Sequence, residues 1–184
     1  MSLYPRFVGP AAFLALAVAP VPSLLAAPII SEFMAANKST LADEDGVYPD
    51  WIEIHNPNTL YSLDLGGYHL TDDPGNPDKW TFPAVSLAPG GYLVVFASEK
   101  NRAIAGQTLH TNFKLSENGE FLALVKPDGS TIVQQFAPVY PNQSSDVSYS
   151  SAGYLATPTP GAVNSGLARS EERRVGKECL RLCR

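Results

Sequence analysis

Beyond residue 27 the apolar positions fall into short runs of period two, broken by Gly, Pro, Asn and Asp, and no long stretch repeats at helical spacing. That pattern predicts strands joined by turns. Trp51-Ile52-Glu53-Ile54-His55 alternates cleanly, so Ile52 and Ile54 are expected to face a core and Glu53 and His55 to face out. Asn56-Pro57 stops that strand, because proline cannot donate to a ladder. Ile29 to Ala35 alternates with Ile29, Ser31, Phe33 and Ala35 on one side. Tyr92 to Ala97 is continuously apolar, as expected of a central strand covered on both faces.

The punctuation between these runs is specific. Ala88-Pro89-Gly90-Gly91 is a turn leading into the Tyr92 strand. Gly66-Gly67 separates Leu63-Asp64-Leu65 from Tyr68-His69-Leu70 as a turn or bulge. Lys79-Trp80-Thr81-Phe82 ends at Pro83, and Pro127-Asp128-Gly129 joins Glu120–Lys126 to Ser130–Phe136 as a hairpin. Asp146 to Tyr149 is a last candidate strand. One short helix is predicted, Ser98 to Ala103, beginning at a serine cap. Many short strands with regular turn signals predict an all-β sandwich or barrel.

Several of these motifs occur together and in order. They are Asp50-Trp-Ile-Glu-Ile-His-Asn-Pro57, Leu87-Ala-Pro-Gly-Gly-Tyr92 with its strand, Asn112-Phe-Lys-Leu-Ser116, Gly119-Glu-Phe-Leu-Ala-Leu124 and the Asp128-Gly129 hairpin. Over roughly Pro28 to Tyr149 the chain resembles the lamin-tail domain of nuclear lamins and secreted bacterial proteins. The resemblance implies an immunoglobulin-like β-sandwich over residues 28–150 and makes Glu53 a framework residue. In secreted bacterial examples the domain often sits near the N-terminus of a large surface or exported protein, and Thr157-Pro-Thr-Pro-Gly-Ala-Val-Asn164 is similar to the linker that follows it there.

The ends read differently from the middle. Residues 1–26 have a basic n-region at Arg6, an apolar run from Phe7 to Leu25 and a small-residue cleavage site at Leu24-Leu-Ala-Ala27. This is the layout of a secretory signal peptide, cut after Ala26. Pro10, Pro20 and Pro22 interrupt the run and disfavour a spanning helix, which wants ~20 mostly apolar residues. Residues 151–168 are rich in Pro, Gly and Ser and read as an exposed linker. Residues 169–184 are expected to form an irregular tail. Arg169-Ser-Glu-Glu-Arg-Arg-Val-Gly-Lys-Glu-Cys179 resembles the in-frame translation of a sequencing adapter, so the natural chain is expected to continue differently past Ala168.

Setting both ends aside changes the chemistry. Cys179 and Cys183 lie in the tail, so the domain has no disulfide, thiolate metal site or cysteine nucleophile. The whole chain carries −5, whereas residues 27–168 hold six basic and fifteen acidic side chains, a net −9. An acidic domain repels phosphate backbones, which argues against a nucleic-acid partner.

It also attracts cations. Asp43-Glu-Asp-Gly46 through Asp50 is an acidic, glycine-bent loop, and Asp43, Asp45 and Asp50 are its candidate calcium ligands. A solvated turn explains the same residues. Asp72, Asp73 and Asp78 form a second such loop. The three histidines, His55, His69 and His110, lack zinc spacing, and His55 and His69 read as outward strand residues. No Gly-x-Ser-x-Gly elbow, phosphate loop or dinucleotide fingerprint is present. Trp51, Trp80, Tyr68 and Tyr92 are either core or an aromatic platform for a sugar or peptide; Trp80 reads as core, Trp51 is open.

The expected function is therefore a non-catalytic binding or scaffold module of an exported, multidomain protein, secreted or at the cell surface. Its partners would be protein or carbohydrate, with no membrane span after cleavage. The alternative is an accessory domain of an enzyme whose catalytic part lies downstream.

Overall fold

The computed structural model describes residues 27–167; the signal-peptide and adapter-like segments lie outside them. Among the described residues every regular element is a strand. These are β1 (Ile29–Met34), β2 (Asp50–His55), β3 (Leu63–Asp64), β4 (His69–Thr71), β5 (Trp80–Thr81), β6 (Ser86–Leu87), β7 (Tyr92–Ala97), β8 (Leu109–His110), β9 (Leu122–Val125), β10 (Ile132–Phe136), β11 (Ser148–Ser150) and β12 (Gly153–Leu155).

They build a six-stranded sheet ordered β12-β11-β1-β2-β7-β8, a four-stranded sheet ordered β10-β9-β4-β5, and the small pair β3-β6. All pairings are antiparallel except β7 with β8. The two larger sheets pack face to face as an immunoglobulin-like β-sandwich. One apolar cluster joins them: Ile30, Phe33, Ile52, Ile54 and Val95 from one sheet meet Leu70, Trp80, Leu122 and Leu124 from the other. Burying this surface, worth ~25 cal/mol per Å2, is the main force holding the sandwich. Trp80 is core, as its sequence position predicts.

Strict alternation fails in β1. The register slips between Ile30, which faces Ile54, and Glu32, which faces Glu53. Ser31 is the extra residue of a β-bulge, and the bulge lets both Ile30 and Phe33 reach the core. Gln134 of β10 closes the backbone groups that the bulge frees. Its side-chain oxygen accepts the Ile30 N–H at 2.8 Å, and its amide donates to the Ile30 carbonyl at 3.1 Å.

The predicted helix at Ser98–Ala103 does not form. Glu99 and Asn101 adopt φ of 65° and 50°, which no right-handed helix permits. Their N–H groups pair instead with the Phe113 and Thr111 carbonyls. Long-range backbone pairing has overridden a six-residue helical propensity that was weak alone.

The outer face of the six-stranded sheet is also not what alternation predicts. Glu53 and Trp51 are fully buried there, and His55 is half-buried. Trp51 packs with Met34 and Phe96 in a second apolar cluster beneath Leu41. The loop from Asn37 to Pro49 and the residues after β12 cover this face. His69, expected outward, is buried in β4, with Nδ1 3.0 Å from Thr81 Oγ1.

Residues 151–167, expected from sequence to be an exposed linker, are mostly exposed yet dock on the fold. They contain β12, whose Leu155 is buried and bridges Leu167, and they run on as a strap over β1 and β2. A Pro/Gly-rich composition permits an irregular path, but it does not prevent that path from docking on a sheet.

Candidate functional site

The acidic loop is folded around Asp43. Its Oδ1 accepts the N–H groups of Asp45 (3.0 Å) and Val47 (3.2 Å), and Gly46 takes φ +75° to close the turn. Its Oδ2 binds the Lys100 ammonium. Lys100 also reaches Asp45 at 2.6 Å, and Arg102 pairs with Glu44 and with Asp45 at 3.1 Å. The hydrogen bond from Lys100 is the largest influence lowering the Asp45 pKa, and the bond that Lys100 donates to Asp43 is the largest raising that of Lys100.

Two of the three candidate calcium ligands, Asp43 and Asp45, are thus brought together, on a lysine. Asp50 is placed apart, at the start of β2, where it accepts the Asn37 N–H at 3.2 Å. Calcium at Asp43 and Asp45 has to displace Lys100 and Arg102. Lys100→Ala should therefore bind calcium more tightly than the unaltered chain in a calorimetric titration. Equal heats would show that the lysine is no competitor. In the second acidic loop, Asp72 pairs with Lys79 at 2.6 Å and Asp73 caps its own turn through the Gly75 N–H.

Burial pushes the Asp50 carboxyl up to about 6, and the nearby Glu117 and Glu120 charges add to that; Asn37 and Lys38 oppose it. A raised folded pKa stabilises the fold below the unfolded value of 3.8, and that contribution is lost as pH rises through about 6. A two-unit shift corresponds to ~3 kcal/mol, reduced to ~1–2 kcal/mol because the group is partly solvated. Asp50→Asn keeps the acceptor for Asn37 and should gain that stability at pH 7 but not at pH 4. Denaturation midpoints at the two pH values test this.

His110 is fully buried beside the same loop. One nitrogen, Nε2, lies 3.0 Å from both Glu44 oxygens, and Nδ1 lies 2.8 Å from Ser98 Oγ. A carboxylate only accepts, so Nε2 carries a proton; a neutral ring then accepts at Nδ1 from the Ser98 hydroxyl. Ser98, His110 and Glu44 thus form a hydrogen-bond relay of the kind used by nucleophilic hydrolases. The three N–H groups that follow Ser98 do not form an oxyanion hole. The N–H groups of Glu99 and Asn101 are spent on backbone carbonyls, and that of Lys100 points at Ser98 Oγ itself. Asp43, Glu44 and His110 also each offer a metal-ligand atom within 4.8 Å of one another. The Lys100 and Arg102 head groups occupy those same carboxylates.

The outer face carries a second constellation. Glu32 and Glu53 stand directly opposite each other in β1 and β2, and both are fully buried. Glu32 takes hydrogen bonds from Ser148 Oγ (2.5 Å), the Thr159 N–H (3.0 Å) and Thr159 Oγ1 (2.7 Å). Glu53 takes them from Ser31 Oγ (2.6 Å) and the Gly161 N–H (2.5 Å). Asn164 adds a bond to the Ser31 carbonyl at 2.8 Å. The strap is held by two carboxylates that accept hydrogen bonds from its Thr159 and Gly161. Burial raises the Glu53 pKa, with Glu32 adding to it against the Ser31 and Gly161 bonds.

A family model for the Lamin Tail Domain matches residues 25–139. The chain belongs to that family. Lamin tail domains form a non-catalytic, immunoglobulin-like family, which agrees with the sandwich. No curated protein matches the chain. The family match ends at residue 139, whereas β11, β12 and the strap continue the packed structure beyond it.

The lamin tail domain places the sequence-predicted aromatics apart. Trp51 and Trp80 are buried, Tyr92 stacks on His55 at 4.2 Å, and Tyr68 is half-buried against the core. Sequence reasoning missed Glu32, Ser98, Lys100 and Arg102. Glu32 and Ser98 sit in ordinary strand and loop contexts. Lys100 and Arg102 find partners more than fifty residues away, so no local spacing marks them.

Proposed function

We propose that this lamin tail domain is a non-catalytic binding or scaffold module of an exported, multidomain protein, acting through exposed loops and sheet edges. One observation carries the reading. The carboxylates that chemistry would need are engaged internally: Asp43 and Asp45 by Lys100, Glu53 by Ser31 and Gly161, and Glu120 by the Ser116 N–H and Tyr140 hydroxyl. Large apolar side chains are left at loops instead, with Leu60 77% and Tyr61 61% exposed.

The test is a fluorophosphonate probe applied to the full chain. No adduct on Ser98 is expected, because the Glu99 and Asn101 N–H groups that follow it are spent on backbone carbonyls. A stoichiometric adduct would overturn the reading and establish a hydrolase. The exported, multidomain setting rests on residues 1–26 and on the adapter-like tail. Expression with the leader should yield a product cut after Ala26, read by intact mass. Long-read sequencing across the codons for Ala168 and Arg169 should show an open frame that continues into further domains. If that frame encodes a catalytic domain, the module is an enzyme's accessory domain.

A further inference from the structure

The loop from Asn56 to Ser62 exposes its apolar and aromatic side chains on a frame that is held still. Asn56 is fully buried, and its amide donates to the carbonyls of Tyr61 (3.0 Å), Leu87 (3.2 Å) and Ala88 (3.0 Å). Its side-chain oxygen accepts the Asn58 N–H at 3.0 Å. Asn58 Oδ1 in turn accepts the N–H groups of Leu60 (2.8 Å) and Tyr61 (2.9 Å), and the Asn58 carbonyl accepts the Gly90 N–H. Tyr61 is therefore presented to solvent by a preorganised loop rather than by a floppy one.

Beside it lies a cleft of about 350 Å3, lined by Asn58, Tyr61, Leu63, Asp64, Tyr68 and Lys126 among others. That volume is at the lower end of the ~300–1,000 Å3 range of small-ligand sites. Leu63 and Tyr68 pack against the core and form its floor. The polar groups around it are fixed yet unspent among the described residues. Asn58 Oδ1 is locked by two N–H groups, which leaves its Nδ2 donors unpaired. Asp64 Oδ1 is locked by the Gly66 N–H at 2.8 Å, which leaves Oδ2 unpaired. Lys126 and Asp64 line one cleft without forming an ion pair.

We infer that this cleft is a saccharide-binding subsite, a reading that rests on the module function proposed above. Two tyrosine rings offer flat apolar faces for the C–H faces of a pyranose. A locked amide donor, a locked carboxylate acceptor and an ammonium supply the directional bonds that vicinal hydroxyls need. Preorganisation lowers the ordering cost of binding.

The test is a 1H–15N titration of the full chain with cellotetraose, chitotetraose and tetragalacturonate, each to millimolar concentration. At least one should shift the Asn58 side-chain amide together with Gly66 and Lys126. Tyr61→Ala removes an exposed side chain and should weaken that binding about tenfold, the loss of roughly one stacked ring. Lys126→Ala serves as a second variant, and it should weaken the charged sugar most. The absence of shifts with all three sugars overturns the proposal. So do shifts that map elsewhere, shifts unchanged by Tyr61→Ala, or a cleft response to peptides alone. An adduct on Ser98 would defeat the module reading without touching this titration, so the two fail separately.

Discussion

Gly119→Ala should be the most damaging single-methyl change in this domain, at about 3–5 kcal/mol of folding stability. Gly119 sits at φ +88°, and a Cβ there would lie 2.2 Å from the Tyr140 carbonyl oxygen. The left-handed backbone alone costs an ordinary residue roughly 1–2 kcal/mol. The rest comes from the clash, because Tyr140 is tied on every side. Its N–H donates to the Glu120 carbonyl at 2.8 Å. Its ring lies 4.9 Å from Phe33, and its hydroxyl binds Ser116 and Glu120. Gly106→Ala is the control: φ is +80°, but nothing lies within 4 Å of the new methyl. It should cost only the conformational share. Denaturant midpoints that fell equally for both would show that the Tyr140 contact is irrelevant.

Glu53→Ala should cost about 2–4 kcal/mol, since it strands the Gly161 N–H in a covered site, leaves the Ser31 hydroxyl only its 3.3 Å contact with the residue-53 carbonyl, and opens a void. Glu53→Gln should be far milder. It keeps an acceptor for one donor and removes the charge facing Glu32. The sign with pH follows from the raised Glu53 pKa. The carboxyl contributes most below its unfolded value of 4.5, and that contribution fades as pH rises. Glu53→Gln should therefore improve relative to Glu53 as pH increases. Hydrogen exchange at the Gly161 amide reads the strap directly. Rapid exchange is expected in Glu53→Ala, and protection equal to the parent would sink the idea that Glu53 holds the strap.

These two changes mark a boundary between local and distant information. Period-two alternation placed β2, a continuous apolar run placed β7, and turn chemistry placed the β9–β10 hairpin, because all three are properties of neighbouring residues. Asp128 illustrates this: its side chain accepts the Ser130 and Thr131 N–H groups within one turn. Glu53 illustrates the opposite. Its phase in β2 was legible, but its burial was not, since the strap that covers it lies more than a hundred residues away. The Ser31 bulge misled for a related reason. One extra residue reverses every later position, and only pairing with β2 reveals it.

The candidate site divides along the same line. Asp43 and Asp45 are close in sequence, so their convergence was readable; the Lys100 between them is set by the path of Glu99 and Asn101 along Thr111 and Phe113. The sequence by itself determined the strand pattern, the turns, the acidic balance and the family, because those depend on residue type and short spacing. Only the tertiary structure decided which charges are neutralised, which are buried, and which rings stay exposed. Those depend on contacts between segments far apart along the chain.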